Sequence, residues 1–446
     1  MAHVVLTTFG SLGDLHPYLA LGVELRQRGH RVTIATHGLY RGRAEAEGLG
    51  FVAVRPDYDA WGDPRDTMRE AMDERRGSEV VLRRLVLPHV HETFADLDAA
   101  CADADLIVDH VLTFTAPLVA ARHGVPRVST TLQPMSTFTA HDPPVLPAAP
   151  YMHAIGRVWP RAWAAFWWLA RQGSRRWFGA LDRLRAELGL PPEPAHPLFD
   201  HASRDGHLML FSRVLMSPQS DWPAASTQPG FVLHDRGETG EGLSPELARW
   251  LDAGTPPIVF TLGSSAVFTA GGFYDAGAAA ARALGRRAVL MVGLENLNTV
   301  PGVPDVAHAP LDAPVVTVPY APHSEVLPRS CATVHQGGVG TTTQALRSGR
   351  PMLVVPFSHD QPDNAARCVR LGVARTLHRS QVSTASFVRE LGALLADEGA
   401  AAHAVAVAAA VRAEPGVAGA VDTLEAIMAH HPQRTPHGLP ASGTPA

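Results

Sequence analysis

Short runs that are almost wholly apolar alternate with longer stretches in which apolar positions recur every three to four residues, and the whole series occurs twice along the chain. The opening run, His3-Val4-Val5-Leu6-Thr7-Thr8, is rich in β-branched residues and predicts a strand. A glycine-punctuated turn over 9–14 follows, and then a helical spacing over 17–28. Residues 31–35, 106–108 and 126–129 read as further strands, with a helix over 116–123. The second series starts at Ile258-Val259-Phe260-Thr261-Leu262 and continues with strands over 288–292, 315–318, 332–334 and 352–355. Helices over 340–348 and 364–371 intervene. Runs apolar on both sides, joined through helices, predict parallel sheets covered on both faces. The fold class expected is therefore α/β, with two Rossmann-like domains.

The boundaries expected are 1–225 for the first domain and 242–416 for the second, with a Pro-, Ser- and Gly-rich linker over 226–241. A helix over 417–430 is expected to cross back onto the first domain, and 431–446 reads as a disordered tail. The length of 446 residues agrees with two cores rather than one. A net charge of −5 supplies no basic field, so nucleic acid is not an expected partner. The three cysteines, Cys101, Cys331 and Cys368, are scattered and show no metal-ligand spacing. No leader pattern precedes the first strand and no apolar run reaches spanning length, so a cytoplasmic location without a membrane span is expected.

Candidate chemistry concentrates where predicted strands hand over to helices. In Val334-His335-Gln336-Gly337-Gly338-Val339-Gly340-Thr341-Thr342-Thr343, closely spaced glycines let the backbone approach an anion, and the helix start adds unpaired N–H groups. This suits a diphosphate, with His335 and Thr341 as hydrogen-bond donors; a purely structural turn is the alternative. After the next strand, Pro356-Phe357-Ser358-His359-Asp360-Gln361 lies at the same carboxyl edge. Asp360 and Gln361 offer donors and acceptors for a sugar, or a helix cap. Five of eight tryptophans fall between Trp159 and Trp177, interleaved with arginines. Spacings of four put Trp159, Trp163 and Trp167 on one helix face. That face reads as core, as an acceptor wall, or as a peripheral membrane contact.

These segments carry a resemblance. The stretch HQGGVGTTTQALRSGRPMLVVPFSHDQPDNAARCVRLG is similar to the donor-site signature of the UDP-glycosyltransferase superfamily, whose fold is termed GT-B. The segments TFGSLGDLHP, FTLGSS, YAPH and SPQSDWP extend the likeness, which is strongest to the rhamnolipid, sterol and glycopeptide subgroups. It implies an active site in the interdomain cleft and a nucleotide sugar as co-substrate, with no metal and no further cofactor. Gly13, Ser264, Ser265, His323, His335, Gly337, Gly338, Gly340 and Thr341 would hold the donor. Tyr320 would stack on the base and Ala321 bond it through its backbone, while Asp360 and Gln361 would contact the sugar. Thr343 stands where plant-type members have a ribose-binding Glu, which favours a dTDP-deoxysugar over a UDP-sugar. Asp14 stands where many members have a catalytic His, and it is the expected general base; the alternative is a helix N-cap. His335 is expected to stabilise the departing diphosphate. His16, Asp109, His110, Trp163 and Trp167 are candidate acceptor contacts, with His110 placed to pair with Asp14. The activity expected is inverting transfer of a hexose or deoxyhexose to a hydroxyl on a small apolar acceptor. A sugar-nucleotide epimerase and a non-catalytic partner of another glycosyltransferase are the alternatives.

Overall fold

The computed structural model describes residues 1–234, 242–294 and 297–431. Two parallel sheets form the two domains. The first holds β1 (His3–Thr7), β2 (Arg31–Thr36), β3 (Gly50–Ala53), β4 (Leu106–His110), β5 (Arg127–Thr131), β6 (Gly206–Met209) and β7 (Ser226–Thr227) in the order β3-β2-β1-β4-β5-β6-β7. The second holds β8 (Ile258–Thr261), β9 (Ala288–Met291), β10 (Val315–Val318), β11 (Ala332–His335), β12 (Met352–Val354) and β13 (Ala374–Thr376) in the order β10-β9-β8-β11-β12-β13. The two orders are the same pattern. In each sheet the order reverses between the first and fourth strands, and it is outside the carboxyl ends at such a point that open α/β sheets bind ligands.

Both faces of each sheet are covered, as the apolar runs predict. Val4, Leu6 and Val108 pack on one side of the first sheet with Leu15, Leu19 and Leu25 of the first helix, Leu12–Gln27. Val5 and Ile107 pack on the other side with Phe94 and Phe178. The helices Glu398–Arg412 and Gly416–His430 follow one another across Pro415. Together they are long and apolar enough by composition to cross a membrane. The first buries Ala404 and Val411 in the second domain, and the second buries Ala420, Val421 and Leu424 against the first sheet.

Several elements depart from the sequence reading. The first helix starts at Leu12, because Asp14 in its first turn accepts from the Ser11 N–H at 2.8 Å and from the Ser11 hydroxyl at 3.2 Å. The stretch read as a linker begins on the sheet, since β7 pairs with β6 through Ser226 and Thr227. Its last part, 235–241, and the tail at 432–446 lie outside the described residues. The tryptophan stretch is broken at Trp159, whose backbone (φ −128, ψ 84) is not helical ahead of Pro160. Trp159 is 68% exposed while Trp163 is fully buried, so the two do not share a face.

Candidate active site

Two helix N-termini meet between the domains. One opens the helix Leu12–Gln27 after β1, and the other opens the helix Val339–Ser348 after β11. They approach so closely that a methyl group placed on Gly340 would stand 3.4 Å from the Cα of Gly13. Unpaired N–H groups and the positive ends of two helix dipoles make this junction attractive to an anion. Gly337 lets the second loop turn: its φ is +92°, and a side chain there would press on the Gln361 carbonyl at 3.0 Å.

A cavity opens on each side of the junction, of about 600 Å³ and about 510 Å³. Gly13, Ser264, Val339, Gly340 and Thr341 border both. The larger takes Tyr320, His323, Phe268 and Leu297 from the second domain, and His16 and His234 from the first. The smaller takes Asp14, His110, Trp61, Phe138, Trp167 and Phe199 from the first domain, and Ser265, Gln336, Gly338, Asp360 and Gln361 from the second. One cavity thus offers an aromatic and hydrogen-bonding slot. The other offers an apolar chamber with carboxylates at its junction end.

The carboxylates are unusual. Burial holds Asp14 up to about 6, against the hydrogen bonds from Ser11 that favour its charged form. Burial, and then the facing charge of Asp14, pushes Asp360 up to about 7. One oxygen of Asp360 accepts from the Val339 N–H at 3.0 Å and from Asn364 at 2.6 Å, so this side chain also ties together the loops that follow β11 and β12. The Gln361 carbonyl oxygen is spent on the N–H groups of Phe357 and Ser358, at 2.8 and 3.1 Å. Burial keeps His16, His110 and His323 neutral, pushing them down to about 3, 3 and 4 respectively.

Some expected residues stand elsewhere. His335 lines neither cavity: its Nδ1 accepts from the Gly337 N–H at 3.1 Å, and its Nε2 lies 3.3 Å from the Met352 sulfur. Burial pushes its pKa down to about 3, so it braces the loop as a neutral ring. Gly337 shapes the loop without lining a cavity. Asp109 is locked by Arg127, whose Nη1 reaches both carboxylate oxygens at 2.9 Å. Ala321 places its methyl in the second core, and Trp163 is fully buried with its indole N–H on the Thr139 carbonyl at 3.3 Å. His16 faces the larger cavity instead of the apolar chamber that holds Asp14, because it sits two residues further round the helix.

The sequence reading passed over Gln336. It is 6% exposed, lines the smaller cavity, and its carbonyl oxygen has no hydrogen-bond partner among the described residues. Its place between the histidine and the glycines was the available signal. Also passed over was the helical segment after β3, whose Trp61, Met68, Met72 and Leu85 wall the chamber. That segment reaches across the cleft. The Ser358 hydroxyl donates to the Asp73 carbonyl at 2.8 Å, and Ser78 bonds His359 at 3.2 Å. On the opposite flank the buried Arg367 joins Asp363 at 2.7 Å and also bonds Asp142 of the first domain. Among the described residues no group of three or more His, Cys, Asp or Glu side chains is arranged to hold a metal ion.

Comparison with known proteins gives consistent results. Residues 4–100 match the model of the glycosyltransferase family 28 N-terminal domain. Residues 297–427 match that of the erythromycin biosynthesis protein CIII-like C-terminal domain. The chain is 32% identical over 432 residues to O-mycaminosyltylonolide 6-deoxyallosyltransferase of Streptomyces fradiae, covering 95% of this chain and 96% of that one. Among solved structures, the glycotransferase of kitacinnamycin aligns with a TM-score of 0.71 at 23% identity, over 96% of this chain and 99% of that one. The glycosyltransferase VinC in complex with dTDP aligns with a TM-score of 0.65 at 20% identity, over 96% and 100%.

Proposed function

This chain belongs to the UDP-glycosyltransferase superfamily of GT-B fold and is a nucleotide-sugar-dependent glycosyltransferase, and from that premise we propose the particular reaction its cleft performs. A hexose or deoxyhexose passes from a dTDP- or UDP-sugar to a hydroxyl of a small apolar natural product, with inversion at the anomeric carbon and Asp14 as general base. The observation that carries this reading is that Asp14 and Asp360, from different domains, border one apolar chamber at the point where two helix N-termini converge.

The nucleotide lies in the larger cavity, with its base beside Tyr320 and its diphosphate over the N–H groups around Gly340. The sugar crosses the junction to Asp360, Gln361 and Gln336. The acceptor's apolar body occupies the chamber among Trp61, Phe138, Trp167 and Phe199. As its hydroxyl oxygen bonds to the anomeric carbon, its proton passes to Asp14 and the electron pair of the breaking C–O bond leaves with the diphosphate. Positive potential from the two helix ends stabilises the charge that gathers there, so a chelator is expected to leave the rate unchanged. Contacts join the two domains across both flanks of the cleft, and closure around the bound substrates keeps out the water that would hydrolyse the donor.

Thr343 supports a dTDP-sugar. It lines the larger cavity and donates to the Val339 carbonyl at 2.8 Å, so no carboxylate stands there for a ribose 2′-hydroxyl. The Streptomyces fradiae relative, by its name a deoxyallosyltransferase, agrees with a deoxysugar, and the VinC structure is a complex with dTDP. A large apolar chamber beside the base supports transfer over epimerisation, which needs no acceptor. Three free cysteines agree with a cytoplasmic site of action. The test is mass spectrometry of a donor panel, dTDP- and UDP-hexoses with and without their 6-hydroxyl, against macrolactone, sterol and hydroxy-fatty-acid acceptors. Glycosylated product and free dTDP are expected. Sugar isomers formed without any acceptor would reverse the choice.

A further inference from the structure

His110 stands at the end of β4, is 3% exposed, and borders the apolar chamber. Neither of its ring nitrogens has a hydrogen-bond partner among the described residues. A neutral imidazole carries one donor and one acceptor, and burying both unmet is unfavourable. Its backbone is nevertheless held in place, since Thr113 bonds both its N–H and its carbonyl, at 3.0 and 2.6 Å.

Three polar groups near this ring, Tyr18, His201 and Asp109, are committed elsewhere, and a fourth is the exception. Tyr18 meets it edge-on at 6.4 Å, and its hydroxyl bonds Thr130 at 2.6 Å. His201 bonds Thr131 and the Leu198 carbonyl, at 3.1 and 3.2 Å. Asp109 is held by Arg127. The exception is Asp14, whose Oδ1 lies 3.8 Å from His110 Nε2. The other Asp14 oxygen takes both bonds from Ser11. Oδ1 is therefore the oxygen left for chemistry. Asp360 faces Asp14 from the second domain, and the charge of Asp14 opposes the ionisation of Asp360.

We propose that His110 is the positioning partner of Asp14, its Nε2–H donating to Oδ1 once an acceptor fills the chamber, so that the carboxylate stays ionised and aimed at the incoming hydroxyl. This deepens the reading of Asp14 as base and rests on it. Catalytic hydrogen bonds often tighten only in the substrate complex, which accounts for the longer distance before an acceptor binds. The His110 proton does not move. The acceptor O–H bond breaks toward Asp14, the new C–O bond forms, and the electron pair of the old one leaves on the diphosphate.

The test compares His110→Phe with His110→Gln, using dTDP-glucose and the macrolactone that turns over fastest in the donor and acceptor panel. The Phe variant is expected to lower kcat by ~10–100-fold, with the donor KM little changed. The acid limb of its pH profile should move up by about half a unit or more, because the charged form of Asp14 loses a donor. Gln, which keeps an N–H within reach, should return the limb and most of the rate. If Phe does not fold, His110→Asn, polar but too short, replaces it with the same expectation. A Phe variant as active as wild type, or equal losses in Phe and Gln with an unmoved limb, would overturn the proposal. Should Asp14→Asn prove fully active, the underlying reading of the base fails instead; should it be inactive while His110→Phe is unaffected, only the role of His110 fails.

Discussion

The end of β4 and the end of β11 occupy the same place in their two sheets, and each hands the chain to the cleft through a pair of polar residues. In the register, Thr7 lies beside Asp109 and Thr261 beside His335. Asp109 and His335 share a fate: each is buried and satisfied internally, one by Arg127 and the other by Gly337. The next residues, His110 and Gln336, also share one: both line the smaller cavity with polar atoms unpartnered. The difference between neighbours is that of strand period. Successive side chains point to opposite faces, so a shift of one residue exchanges a structural role for a chemical one. The difference between the domains is in what the exposed member can do. His110 sits beside a carboxylate of its own domain, whereas Gln336 sits beside the glycines of the anion cradle.

That comparison can be broken most forcefully at Arg127. Arg127→Met leaves Asp109 buried without its partner, and a loss of about 3–5 kcal/mol of stability is expected in denaturant unfolding. Residual activity of the folded fraction should be close to normal. A stable variant with its chemistry abolished would move Asp109 into the reaction. Gln336→Ala is expected to raise the donor KM about tenfold, the effect of one lost hydrogen bond in a closed site, with folding intact. A fall in thermal stability with an unchanged KM would assign Gln336 to structure. His335→Asn, which can still accept from the Gly337 N–H, should keep transfer within about tenfold of wild type, since the ring braces the loop without facing the diphosphate. A loss of a hundredfold or more, with the fold preserved, would return His335 to the chemistry.

The gentlest probe is pH. The base must be ionised, and burial holds Asp14 up to about 6. Transfer should therefore fall as pH drops through about 6, where an ordinary carboxylate would stay active to about 4. The three site histidines, His16, His110 and His323, are already neutral above pH 7, so the change left there is the ionisation of Asp360, held up to about 7, and the profile should be level once pH passes it. A rate that keeps climbing with a midpoint near 8 would contradict this assignment.

Much of the fold was legible because the central strands are apolar on both faces. β1, β8, β10 and β11 stand out from any polar context. The strands missed are at or near the edges. β3, β7 and β13 are short and partly exposed, and β7 consists of Ser226 and Thr227 alone; β6, also missed, is buried but has only four residues and opens on Gly206 and His207. Their pairing is dictated by the neighbouring strand rather than by their own composition. The candidate site was legible where the backbone itself forms the wall of the cleft, as at Gly13, Gly338 and Gly340. It was illegible where a side chain had two ways to face. His335 looked like a phosphate donor because the glycines follow it, but Met352 and the Gly337 N–H claim both of its nitrogens. The tryptophan stretch splits among roles. Trp163 is core, Trp167 lines the chamber, and Trp159 and Trp168 are exposed. One helical period cannot foretell that division once a proline interrupts it.

The central claim is that a carboxylate of one domain and an anion cradle of the other act on the same sugar. Asp14→Asn tests it most directly, with donor binding measured by calorimetry and transfer by product formation on one preparation. The account predicts an unchanged dissociation constant for the dTDP-sugar and a rate of transfer at least ~100-fold lower. Undiminished transfer, or a loss of donor binding as large as the loss of rate, would contradict it.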